Sequence, residues 1–130
     1  MKKIQLQDQY PVFMTEINKT ETTYQTVAEI VAYLKDRIAE NERVQYIGEF
    51  DHFAHTQRIE GEIAPDIQAA TNVIFCFGFA LPNPQVMAVR PRSIGVVDLG
   101  DRFSVSFMEA PMKPANDAML AWAEGLRNKD

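Results

Sequence analysis

The chain carries two histidines, His52 and His55, in the stretch FDHFAHTQ at residues 50–57, with the carboxylate of Asp51 beside the first. Imidazole nitrogens and carboxylate oxygens hold zinc and similar ions, and a histidine oriented by a carboxylate is the commonest general base. Backbone conformation decides what this pair can do. Residues three apart share a face on a helix and point to opposite sides of a strand. Residues 44–51 alternate Val44, Tyr46, Gly48 and Phe50 against Gln45, Ile47, Glu49 and Asp51, which predicts a half-buried strand running directly into the histidines. The simpler expectation is then a polar strand end with one imidazole tied to backbone. The sharper one is a metal site of His52, His55 and Asp51, with Glu49 or Cys76 as further candidate donors and no second motif at metal-ligand spacing to complete it.

Arg90 and Arg92 bracket a proline in LPNPQVMAVRPR, residues 81–92. Two guanidinium groups brought near His52 could clasp a carboxylate or phosphate, and sites concentrate on such loops. Against that, surface arginines are more often solvated or paired with Asp and Glu. The candidate ligand-binding set is therefore His52, His55, Arg90 and Arg92. Cys76 lies within IFCFG, where a thiol packs and stays inert, and Gly78 beside it allows a close approach or leaves room for a ligand. Met108, Met112 and Met119 suit core positions at least as well as a copper or haem site. No serine nucleophile elbow, glycine-rich phosphate loop or paired-cysteine motif occurs, so catalysis is neither indicated nor excluded and no cofactor is named.

Bulk properties limit the setting. A chain of 130 residues is expected to fold as one domain over 1–130. Thirteen basic against eighteen acidic residues give net charge −5, split 7 against 10 in residues 1–60 and 6 against 8 in residues 61–130. Neither half holds the basic stripe that displaces phosphate counterions, which argues against nucleic acid and anionic membrane surfaces as partners. The single cysteine forms no internal disulfide, and MKKIQLQDQYPVF lacks the apolar core of a signal peptide, so the cytoplasm is the expected location. The apolar run VIFCFGFAL, residues 73–81, is too short to span a membrane.

The elements that position these residues follow from periodicity. Residues 11–19 read as a strand opened by a proline, which suits a sheet edge. Thr26 and Glu29 form a T-x-x-E capping box ahead of an apolar stripe at Val27, Ile30, Val31, Leu34 and Ile38, which predicts a helix. Residues 56–70 mix charge, Gly and Pro and read as a loop with at most one helical turn. Residues 72–80 are apolar on both faces and read as the central strand. Asn83 is placed to cap a turn that begins at Pro84. Residues 93–99 and 102–108 form a hairpin around Gly100 and Asp101. A second helix over 114–126 carries the stripe Ala115, Ala118, Met119, Trp122 and Leu126.

The expected fold is α+β, in two layers, with a mostly antiparallel sheet of about five strands and two main helices in the order β-α-β-β-β-β-α. Two single-striped helices cover one side of such a sheet. The other side would be uncovered and partly apolar, which predicts a homodimer packed through it or a ligand cavity.

The segments TVAEIVAYLKDRIAENERVQYIGEFDH, NVIFCFGFALPNPQ and IGVVDLGDRFSVSFMEAP resemble the bacterial and archaeal family known as domain of unknown function 302, over about residues 20–111. The matching positions are Asp51 with His52, Phe77 with Gly78, and Phe107 with Pro111. The chain departs from that pattern where Phe79, Ala80 and Leu81 precede the proline, and where Arg92-Ser93 replaces a Leu-Pro pair. The resemblance implies a small α+β fold, dimer formation and no agreed activity. The expected function is a non-enzymatic homodimeric module that binds a small molecule or a protein partner. The alternative is a metal-binding protein or small enzyme using His52 and His55.

Overall fold

The computed structural model describes residues 1–78 and 80–129. Six strands, β1 (Lys2–Leu6), β2 (Tyr10–Asn18), β3 (Gln45–Asp51), β4 (Ala69–Cys76), β5 (Arg92–Asp98) and β6 (Arg102–Met108), form one sheet in the order β1-β2-β6-β5-β4-β3. Every pairing is antiparallel. There are three helices, α1 (Val27–Ala39), α2 (His52–Arg58) and α3 (Lys113–Glu124), and short 3-10 turns at Lys19–Glu21, ahead of α1, and at Pro84–Val89, between β4 and β5. The α+β class is as expected. The sheet gains a strand because KKIQL, polar at three of its five positions and exposed at four, carries no core signal of its own and is held by pairing with β2.

That extra strand moves β2 off the edge, since β1 and β6 flank it on its two sides. Pro11 is accommodated because its carbonyl accepts from the Glu109 N–H at 2.9 Å, while its ring nitrogen has no hydrogen to leave unpaired. The both-faces-apolar segment is likewise not central: β4 is second from the β3 edge, and β5 and β6 occupy the middle. It also ends at Cys76, so Gly78 and Ala80 lie beyond the sheet, and the expectation for Phe79 falls outside the described residues.

Burial is one-sided. The register places Ile17, Val73, Phe75, Ile94, Val96, Phe103, Val105 and Phe107 on the same face, and all eight are buried. The two long helices, α1 and α3, lie against that face. Val27, Ile30, Val31, Leu34 and Ile38 of α1 are buried, as are Ala115, Met119 and Trp122 of α3. Trp122 meets Phe75 edge-on at 5.5 Å and stacks on Phe77 at 5.7 Å, fixing α3 over β4. Burying each of these large side chains contributes roughly 1.5–3 kcal/mol by transfer from water.

Local signals set the boundaries. Thr26 accepts from the Glu29 N–H at 3.1 Å, as a capping box requires, but the Glu29 carboxylate accepts from the Gln25 N–H and the Thr26 hydroxyl, both at 3.2 Å, and not from the Thr26 backbone N–H. The hairpin closes as its sequence implies: the Leu99 N–H donates to the Arg102 carbonyl at 2.8 Å, and Gly100 adopts φ +97, a value that costs glycine little. Asn83 caps the turn at Pro84–Val89 by accepting from the Val86 N–H at 3.1 Å.

Candidate functional site

The strand ahead of the histidines is interrupted. Tyr46 pairs with Phe75 and Gly48 with Ile74, leaving Ile47 as an extra bulged residue that is 54% exposed. One inserted residue exchanges the faces of everything after it. Tyr46 therefore shares the helix-covered face, whereas Gly48 and Phe50 point to the opposite one, and the simple alternation across residues 44–51 does not hold. Beyond Asp51 the chain turns at once into α2, where the sequence had suggested strand end and loop. The Asp51 carboxylate accepts from the Ala54 N–H at 2.9 Å and caps that helix.

Helical backbone puts His52 and His55 on one face, with ring centroids 5.7 Å apart and both rings against Phe50 at 5.4 and 5.3 Å. Their hydrogen bonds assign the protons. The Thr56 hydroxyl donates its single proton to the His52 carbonyl at 2.8 Å, so its 3.2 Å contact with His52 Nδ1 requires the imidazole to donate. In the neutral ring this leaves the lone pair of His52 on Nε2. Arg58 has only donors, so its 2.7 Å contact with His55 Nδ1 makes that nitrogen the acceptor and leaves the proton on Nε2. As neutral rings the two thus differ, His52 with its lone pair and His55 with its proton on Nε2. Asp51 is engaged as a helix cap, and among the described residues no three His, Cys, Asp or Glu side chains are grouped to hold a metal ion.

The arginines lie elsewhere. Asp51 is opposite Thr71 on β4 and Arg92 is opposite Phe75, four residues along, or about 13 Å at strand rise. Arg90 and Arg92 together line a cavity of about 190 Å³ between β4, the turn at Pro84–Val89 and the start of α3. Arg90 donates to the Ala80 carbonyl at 2.7 Å, and Arg92 donates to Val89 at 3.2 Å and to Met108. Burial lowers the Arg92 pKa below the usual arginine value by disfavouring its charged form. Asn116 clamps the far wall, accepting from the Ala110 N–H and donating to its carbonyl, both at 2.8 Å. The candidate residues therefore fall into two places, an imidazole pair on α2 and an arginine pair on this cavity.

Sequence reasoning passed over a third feature. A groove of about 630 Å³ runs between α1 and the β3 side of the sheet, lined by Lys35, Glu49, Asp51, Phe53 and Asp98 among others. Its polar groups are occupied: Asp98 pairs with Lys19 at 3.0 Å, Glu49 accepts from the Tyr46 hydroxyl at 3.2 Å, and the Lys35 ammonium sits over the Tyr46 ring at 5.1 Å. Nothing local marks these residues in the sequence, because they converge from four elements. Cys76 is half-buried on the uncovered face, outside the core, and its sulfur accepts from the Gly78 N–H at 3.3 Å.

These features define a small α+β domain, an antiparallel sheet with its two long helices on one face and a cationic cavity at one end. The chain belongs to the family of unknown function DUF6858, whose family model matches residues 1–128. That is a different unknown-function family from the one its short D-H, F-G and hairpin patterns resemble. Comparison with curated proteins gave no match, and comparison with solved structures gave none. No helix among the described residues is long and apolar enough to cross a membrane.

Proposed function

We propose that the protein is a binding module that works as a homodimer, two copies meeting through the uncovered face of the sheet. The single observation that carries this is the one-sided burial: all eight buried strand residues face the helices, while Ile4, Val12, Met14, Ile74 and Val97 face away and stay only half-buried. Leu6, Tyr10, Phe50 and Met108 on the same side are more exposed still. Apolar surface of this extent drives association at about 25 cal/mol per Å² removed from water.

Size and charge favour a second copy as the occupant. Five inter-strand spacings by seven residues of strand make a face of roughly 24 by 23 Å, about 550 Å² in projection and thus about two-thirds of the ~800 Å² per partner of a standard interface before side-chain relief is added. Its middle is lined by Ser104, Ser106 and Gly95, small groups that permit close approach. Glu16 and Arg102 neutralise each other at 2.5 Å, so two identical faces meet without a block of like charge. Light scattering at tens of micromolar should give twice the mass of one chain, and Met14→Glu with Val97→Glu should give one chain with unchanged circular dichroism. A wild-type monomer at those concentrations rules the dimer out.

A second reading, metal binding or proton transfer at His52 and His55, rests on the 5.7 Å approach of the two rings. Two imidazoles are short of the three or four ligands that zinc takes, and ligation by His55 Nε2 would cost its bond from Arg58. Metal analysis of untagged protein separates the readings. A stoichiometric ion lost on joint His52→Ala and His55→Ala substitution supports the second; metal-free protein of equal stability in the double variant removes it.

A further inference from the structure

A guanidinium partly withdrawn from water gains from a counter-charge, and Arg90 and Arg92 are both half-buried. Arg37, Arg102 and Arg127 each meet a carboxylate. Among the described residues no ion pair involves Arg90 or Arg92, whose bonds run to the carbonyls of Ala80, Val89 and Met108. Carbonyls are dipoles, so apart from solvent no negative charge among the described residues faces these two cations. A guanidinium has five N–H donors, and these bonds use one of Arg90's and two of Arg92's.

Both cations border the same cavity of about 190 Å³, and its remaining walls are apolar, with Phe77, Val86, Val89, Ala110 and Ala115 among them. Gly78 makes the arrangement possible. A Cβ there would come within 2.6 Å of the Arg90 guanidinium, so only a bare backbone lets that cation lie across the cavity mouth.

We propose that this cavity binds a small monocarboxylate with an apolar body, the carboxylate clasped by Arg90 and Arg92 and the hydrocarbon end against Phe77, Val86 and Ala115. The proposal rests on the binding-module reading and names its ligand class. The planar fork of a guanidinium matches a carboxylate edge with two parallel N–H···O bonds, and the carboxylate sets one negative charge against the two cations. The volume equals about six waters at ~30 Å³ each, which suits a carboxylate bearing a phenyl ring or a short alkyl chain and little more. Phosphate fits poorly, because its outer oxygens would be pressed against apolar walls without partners. A purely structural role for the two arginines, holding the turn at Pro84–Val89 to β6, would give no ligand binding at all, and so makes a different prediction.

The test is calorimetric and NMR titration of the full chain with benzoate, hexanoate, inorganic phosphate and the neutral isostere benzamide. Benzoate or hexanoate should bind with Kd of about 1 mM or tighter, and phosphate and benzamide should bind at least roughly tenfold more weakly. Arg90→Met and Arg92→Met should each weaken carboxylate binding by about tenfold or more, the worth of a charge-assisted bond. Gly78→Ala keeps both charges but displaces Arg90, and should weaken binding while leaving the melting curve near that of the wild type, which guards against a variant that only unfolds. The proposal is overturned if neither carboxylate binds up to roughly 10 mM, if benzamide binds as well as benzoate, or if Arg90→Met and Gly78→Ala leave benzoate affinity unchanged. The dimer is judged apart from this, by mass. Carboxylate binding to a monomer would refute only the dimer, and a dimer that ignores carboxylates would refute only the ligand class.

Discussion

The Tyr33 hydroxyl on α1 donates to the Trp122 carbonyl on α3 across 2.7 Å, the bond that ties the two long helices to each other over the sheet. The same hydroxyl occupies the space above Gly125, where a Cβ would lie 2.2 Å from it. Helix α3 is thus held from above by Tyr33 and from below by the Trp122 contacts with Phe75 and Phe77.

Tyr33→Phe is expected to lower stability by about 1 kcal/mol, the usual worth of one hydrogen bond, as read from denaturant midpoints. A pH signature accompanies it. Burial raises the Tyr33 pKa above 10.0, so the folded chain holds that proton to higher pH than the unfolded chain does. This contribution is fully present below pH 10 and is lost as pH rises through the folded pKa. Wild-type stability should therefore fall more steeply on the alkaline side than that of Tyr33→Phe. Parallel alkaline limbs would show that the phenol is not coupled to folding.

Phe75 and Ile74 are neighbours in sequence on opposite faces of β4. Phe75 is 0% exposed and touches Trp122 and Phe77, so Phe75→Ala should cost about 3–5 kcal/mol through lost burial and the cavity left behind. Ile74→Ala on the uncovered face should cost the isolated chain less than ~1 kcal/mol and should instead weaken self-association. Chemical denaturation of both variants at two protein concentrations distinguishes these effects. Equal losses for the two variants would contradict the one-sided core.

Ile47 is the supernumerary residue of the bulge, exposed and without a partner opposite it. Deleting it joins Tyr46 to Gly48 and restores regular alternation, with every later pair from Gly48/Ile74 to Asp51/Thr71 kept. The deletion should fold, with a change in stability within about 1 kcal/mol. Backbone amide shifts of residues 69–76 should be nearly unchanged. A collapse of the β3/β4 pairing would mean that the bulge is required for the sheet to bend.

The sequence by itself determined the elements whose signals are local. The stripe of α1 with its Thr26 cap, the hairpin at Gly100, the capped turn at Pro84–Val89 and the stripe of α3 all form within two residues of where periodicity puts them, because a helix or tight turn is specified by residues three or four apart. The uncovered sheet face was legible for the same reason: two single-striped helices cannot cover both sides.

Tertiary pairing decided the rest. Lys2–Leu6 becomes a strand only because β2 offers it an edge, and that edge turns a supposed border strand into an interior one. The bulge at Ile47 exists only relative to β4, so no alternation in residues 44–51 could reveal which side Phe50 would take. The fate of the candidate residues follows from these pairings. Once Asp51 caps α2, the histidines are set side by side, and the register of β4 holds them about 13 Å of strand away from Arg92. Strand partners are distant in sequence, and the side chains they bring together carry no mark of it.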